Sequence, residues 1–62
     1  MNGARLKELR KEKGLTRREV SIAVGITEGT LYTYETAERS NPTIETVNKL
    51  ASFYGVPATE LI

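Results

Sequence analysis

Cysteine, histidine and aspartate are all missing from this 62-residue chain. Without cysteine no disulfide can staple the fold, and without cysteine and histidine a structural zinc loses its usual ligands. The same gaps remove the Ser-His and Cys-His pairs that activate a nucleophile. Isolated glutamates, with no glycine loop to cradle a phosphate, assemble no catalytic constellation. The sequence therefore reads as a non-enzyme with no cofactor and no metal. Long apolar runs are lacking too: nothing approaches the roughly 18 residues that span a bilayer. The opening stretch 1–13 is basic and polar where a secretory signal would carry an apolar segment. A cytoplasmic protein with no membrane partner is expected.

The length suits one domain, 1–62, near the lower size limit, where only about 60% of the unfolded chain's surface can be buried. Hydrophobic residues at 39% and charged residues at 27% fall in the range of ordinary folded domains, which argues against disorder. Net charge is only +1, but it is unevenly laid out. Residues 1–18 hold seven Lys or Arg against two Glu, and residues 19–62 hold two against six. A basic lobe of this kind attracts phosphate locally in a nearly neutral molecule.

Leu6 and Leu9 among alternating charges, followed by Gly14, predict a first helix over about 2–13. Thr16-Arg17-Arg18-Glu19 is a capping-box sequence, in which the hydroxyl and the carboxylate each satisfy a free amide, so a second helix begins at Arg17. Val20, Ala23 and Val24 are expected to form its buried stripe, and Gly25 supplies the permissive backbone of a tight turn. Thr27 caps a third helix of about 28–36, with Leu31 and Tyr34 facing inward. Residues 37–42 show no periodicity and read as a surface loop. Thr43 caps a fourth helix whose apolar face is Ile44, Val47, Leu50, Ala51 and Tyr54, up to Gly55. Pro57 precedes a terminal turn, 58–62. The expected fold is an all-α, compact five-helix bundle.

Between Arg17 and Thr36 the order is capped helix, apolar Ala23, turn at Gly25, apolar Ile26, then a capped helix whose outer face is small and polar. Such an arrangement presents a helix to a DNA major groove, which at about 12 Å admits one helix when its outward residues do not obstruct approach. Thr27, Glu28, Gly29, Thr30 and Thr33 fit that description. Gly29 weakens a helix but lets another backbone come close.

The segments LKELRKEKGLT, VGITEGTLYTYE and LASFYGVPATEL resemble the phage Cro and repressor-type helix-turn-helix family. Gly14-Leu15, Glu19, Ala23, Gly25, Glu35, Pro42, Leu50-Ala51 and Gly55-Val56 stand at that family's spacing, and the resemblance covers essentially the whole chain. It implies a lambda repressor-like domain that binds operator DNA as a dimer, with helix three in the major groove and helix ends on phosphates. Carried over, it makes Thr27, Glu28, Gly29 and Thr33 base-facing, with Thr30 close by at the groove wall. Phosphate contacts fall at Thr16 and Arg17, at Thr36, and along Arg39, Ser40, Asn41 and Thr43. Two residues join that set. Arg10 is basic, and the resemblance also pairs it with Glu35, against the plainer reading of a solvated pair worth under about 1 kcal/mol. Tyr32 points outward and has a hydroxyl to offer a phosphate.

The chain departs from the family in having no glutamine and no positive charge on helix three. Glu28 either accepts a hydrogen bond from cytosine N4 or simply complements the positive end of its helix. A single module offers about 600–1,000 Å² of interface, so a homodimer on a near-palindromic operator is expected, with half-sites about 10 base pairs apart. Phe53, Val56, Pro57, Leu61 and Ile62 are the expected dimer surface. The function expected is that of a sequence-specific regulator of transcription, a repressor. The alternative is a protein-interaction module, such as an antitoxin-like domain that retains the fold, which the lack of positive charge on the third helix favours. A chain of this length also matches a fragment of a longer regulator.

Overall fold

Side-chain caps start each of the four α-helices in the computed structural model, which describes residues 1–37 and 40–62. These are α1 (Gly3–Glu12), α2 (Arg17–Val24), α3 (Glu28–Thr36) and α4 (Ile44–Tyr54), followed by a short 3₁₀ turn, Ala58–Glu60. Asn2, Thr16, Thr27 and Thr43 each accept a hydrogen bond from the backbone amide three residues on. Each cap satisfies a donor that a helix start otherwise leaves open. The expected capping box is complete: the Glu19 amide donates to Thr16 Oγ1 at 3.1 Å and the Thr16 amide donates to Glu19 Oε1 at 3.0 Å. The Thr16 amide, together with the Thr16 hydroxyl that donates to the same oxygen at 3.1 Å, holds the Glu19 carboxyl below its usual range.

Among the described residues there are four α-helices where five were expected. Pro57 sits in extended backbone, and the three residues after it close only one 3₁₀ turn before Leu61. That turn aims Leu61 into the core, where it has no exposed surface. The Leu61 carbonyl also accepts a 2.7 Å hydrogen bond from the Asn2 amide, tying the two ends of the described chain together. Leu61 is therefore a core residue of its own subunit and does not belong to the expected dimer surface.

The core is Leu6, Leu9, Val20, Leu31, Val47, Leu50, Ala51, Tyr54 and Leu61, with Leu15, Val24, Ile26 and Tyr34 packed around it. α3 packs against α1 and α2, while α4 packs against α2 and the 3₁₀ turn. Two inward assignments need correction. Ala23 is exposed and Ser21 is buried in its place: the 100° step of a helix sets the two on opposite flanks of Val20 and Val24, and the packing of α2 buries the Ser21 flank. Burial of Ser21 leaves no orphan, since its hydroxyl donates to the Arg18 carbonyl at 2.8 Å. Ile44, at the first position of α4, stands on the edge of that helix's apolar stripe and is 71% exposed.

Candidate nucleic-acid interface

The turn between α2 and α3 is only three residues long. Gly25 takes the left-handed conformation, φ 83°, that a side chain resists. Its amide and that of Ile26 both donate to the Ser21 carbonyl, at 2.9 and 3.1 Å. Ile26 then packs against the core, and Thr27 restarts the chain as a helix. The turn thus fixes the angle between α2 and α3 with backbone bonds and one apolar anchor.

α3 is held from its inner side. Leu31 is fully buried, and so is the side chain of Glu35. Arg10 of α1 meets that carboxylate with two parallel hydrogen bonds, Nε to Oε2 at 2.9 Å and a terminal nitrogen to Oε1 at 3.1 Å. Its other terminal nitrogen donates to the Leu15 carbonyl at 2.9 Å. A bidentate pair of this kind is directional as well as strong. Arg10 is therefore turned inward and joins α1 to α3 and to the segment before α2; it is not among the outward cations. The solvated-pair reading is replaced by a buried one. The N-terminal end of α1 makes a second tie. A Cβ added to Gly3 would press on the carbonyl oxygens of Tyr34 and Glu35, the latter at 2.9 Å, so only glycine permits this approach.

The outer side of α3 is free. Thr27, Glu28, Gly29 and Thr33 are exposed, Thr30 is half-buried, and nothing stands within 4 Å of where a Cβ on Gly29 would be. The hydroxyls of this face are satisfied internally: Thr27 donates to Thr30 Oγ1 at 2.8 Å, and Thr33 donates to the Gly29 carbonyl at 3.0 Å. Their methyl groups and second lone pairs remain available. The amides of Glu28 and Gly29 have no partner among the described residues, which leaves partial positive charge at this helix start, partly offset by the Glu28 carboxylate.

Beside this face lies the start of α2. The amides of Arg17 and Arg18 lack partners among the described residues, and the Arg17 side chain crosses to α3. Its guanidinium lies 3.6 Å from Glu35 Oε1 and 4.9 Å from the centre of the Tyr32 ring. Thr16, Arg17, Tyr32 and Glu35 thus form one continuous edge, with exposed Thr36 donating to the Tyr32 carbonyl at 2.8 Å at its far end. Asn41 and Thr43 are exposed before α4, and no hydrogen bond or ion pair among the described residues joins them to that edge. Ser40 is half-buried with its hydroxyl turned inside and without a partner among the described residues, so its side chain is not presented outward. Arg39 lies outside the described residues. On the expected dimer surface Phe53, Pro57 and Ile62 are exposed and Val56 is half-buried.

Sequence reasoning missed Gly3 and the burial of Ser21. Gly3 carries no local signal, because the carbonyls it admits lie more than thirty positions away. The helical period does not choose between Ser21 and Ala23; the one available signal was that serine can bury its hydroxyl against a carbonyl three or four residues back. No helix of the described residues is long and apolar enough to cross a membrane.

A family model described as a helix-turn-helix domain matches residues 3–61. The cryptic phage CTXphi transcriptional repressor RstR of Vibrio cholerae is 42% identical over 62 residues, which are all of this chain and 55% of that protein. The HTH-type transcriptional regulator DdrOP3 of Deinococcus deserti is 40% identical over 58 residues, 94% of this chain and 44% of that protein. The chain therefore spans about half the length of these two relatives. Among solved structures, the N-terminal DNA binding domain of SinR from Bacillus subtilis superposes with a TM-score of 0.86 at 30% identity, covering 95% of this chain and 86% of that one. With the matched model running over nearly the whole sequence and a glycine turn setting α3 against α2, the chain belongs to the helix-turn-helix domain family.

Proposed function

We propose that this chain is the DNA-reading module of a transcriptional repressor, with α3 lying in the major groove of an operator half-site. The observation that carries this reading is the free outer face of α3, small and polar around Gly29, flanked by the open amides and the Arg17 side chain at the start of α2. Thr27, Glu28, Gly29, Thr30 and Thr33 meet base edges, with the Glu28 carboxylate accepting from a cytosine N4 and threonine methyls against thymine methyls. Thr16, Arg17, Thr36, Asn41 and Thr43 take phosphates and set the register. Repressors and regulators among the relatives, and a DNA-binding domain among the structural neighbours, support the assignment. Two copies paired through Phe53, Val56, Pro57 and Ile62 read a near-palindrome with half-sites about 10 base pairs apart.

The test is selection from a pool of random double-stranded DNA at two salt concentrations, with Gly29→Glu as control. Space around Gly29 accommodates the new side chain, so the variant folds while placing a bulky anion on the reading face. A salt-sensitive palindrome, lost in the control, is the expected result. No enrichment at low salt would transfer the module to a protein partner. The exposure of Ile44 on the groove between α2 and α4, which Ala23, Val24 and Phe53 also line, favours that second reading.

A further inference from the structure

Tyr32 is 52% exposed on α3, immediately beside the proposed reading face, and its hydroxyl has no hydrogen-bond partner among the described residues. The obvious role for such a residue is to donate that hydroxyl to a phosphate. Its ring, however, is already in use. The Arg17 guanidinium lies over it at 4.9 Å from the centroid, within the roughly 6 Å reach of a cation–π contact. We infer that Tyr32 acts through its ring, as a platform that holds the Arg17 guanidinium in place for a DNA phosphate, and not through its hydroxyl. The inference rests on the DNA-binding reading above and adds a positioning residue to it.

Charge and order both support this role. Among the described residues Glu35 is the anion paired with Arg17, at 3.6 Å, and alone it would neutralise Arg17 and cancel its attraction for phosphate. Arg10 prevents that by pairing with the same carboxylate through two hydrogen bonds inside the fold. One buried negative charge thus faces two guanidinium groups, and one net positive charge is left at the rim. That charge resides on Arg17, whose side chain keeps 37% of its surface exposed while that of Glu35 keeps none. A free arginine loses much rotamer freedom when it grips a phosphate. Arg17 has surrendered part of that freedom beforehand, since it is confined between a carboxylate edge and an aromatic face. Stacking leaves the guanidinium N–H donors at its rim available for phosphate oxygens. The platform is itself on α3, so the same helix that carries the base-facing residues also sets where the phosphate cation stands.

The experiment measures binding to a labelled 24-base-pair duplex of random sequence, between about 25 and 200 mM salt, for the wild type, Tyr32→Phe, Tyr32→Ala, Arg17→Ala and Arg17→Ala/Tyr32→Ala. The platform requires that Tyr32→Phe bind within about twofold of the wild type, and that Tyr32→Ala bind about three- to tenfold more weakly at low salt. Arg17→Ala lowers the slope of log affinity against log salt by about 0.9, the share of one phosphate contact. Adding Tyr32→Ala to Arg17→Ala changes nothing further. In the free protein, the Arg17 side-chain proton resonances carry a ring-current shift that Tyr32→Phe keeps and Tyr32→Ala loses. Equal losses in Tyr32→Phe and Tyr32→Ala would mean a hydroxyl contact and overturn the platform, as would independent, multiplying losses from Arg17→Ala and Tyr32→Ala. Absence of salt-dependent binding by the wild type would overturn the DNA reading itself, and is recognised before any variant is compared.

Discussion

Replacing Arg10 with methionine keeps most of the length of the side chain and removes its charge, which isolates the buried pair as the cause of any loss. Glu35 would then be left with a fully buried carboxylate and only Arg17, 3.6 Å away and partly in solvent, to answer it. Breaking one partner of a buried pair costs about 3–5 kcal/mol, and the nearby Arg17 moves the expectation to the lower end, about 3 kcal/mol. The lost bond to the Leu15 carbonyl acts in the same direction. A domain of 62 residues has a total stability of about 3–9 kcal/mol, so the variant is left marginal or unfolded. At 4–8 °C per kcal/mol for a domain this small, the midpoint falls by about 12–24 °C. Urea and thermal unfolding followed by helical circular dichroism measure it directly. The companion variant Arg10→Met/Glu35→Leu exchanges the ion pair for an apolar one and recovers to within about 1–2 kcal/mol of the wild type, because it leaves no buried charge. If Arg10→Met costs under about 1 kcal/mol, the pair behaves as a solvated surface bridge, and the account of how α1 is fastened to α3 fails.

Two further substitutions probe the interior. Gly3→Ala would ordinarily favour a helix, but here its Cβ meets the Tyr34 and Glu35 carbonyls; a net loss of about 1–3 kcal/mol is expected, and a raised melting temperature would refute the close approach. Tyr54→Phe removes a hydroxyl buried without a partner among the described residues and stabilises by about 1 kcal/mol near neutral pH. Burial, and to a lesser extent the Glu35 charge, push the Tyr54 phenol from its ordinary 10.0 up to about 12. The unfolded chain therefore releases this proton first, so stability present below pH 10 declines up to pH 12, and the difference between wild type and Tyr54→Phe widens across that window. A constant difference from pH 8 to 12 would count against the burial of the phenol.

The features legible in the sequence were those that local chemistry decides. Thr16, Thr27 and Thr43 start helices because a hydroxyl can reach an amide three residues on, and Gly25 ends one because it lacks a Cβ. These contacts involve neighbours in the chain, so the composition of a few residues specifies them. Rotation about a helix axis is less secure. Ala23 and Ser21 are both small and lie about 80° to either side of the Val20 and Val24 line, so the choice between them is made by how α2 meets α3 and α4. Leu61 posed a similar problem, because three residues after Pro57 cannot reveal whether the next leucine turns inward or outward. Arg10 and Glu35 lie 25 positions apart, and each alone reads as a solvated charge on a helix surface.

What local patterns left open is also what holds the reading helix. α3 buries few side chains, only Leu31 and Glu35 fully, and so has little apolar grip on the core. Its placement depends on the Arg10 bridge, on the Gly3 contact and on the turn bonds to the Ser21 carbonyl, all of them on the inner side or at the helix start. A helix anchored by so few residues leaves the rest of its surface without a structural duty. Glu28, Gly29 and Thr33 make no contact with the core, so substitutions there alter what the face presents at little expense to the fold, whereas Thr27 also caps the helix. The separation is physical: directional polar bonds fix the orientation of α3 from one side, which an apolar stripe could do only by occupying more of the helix.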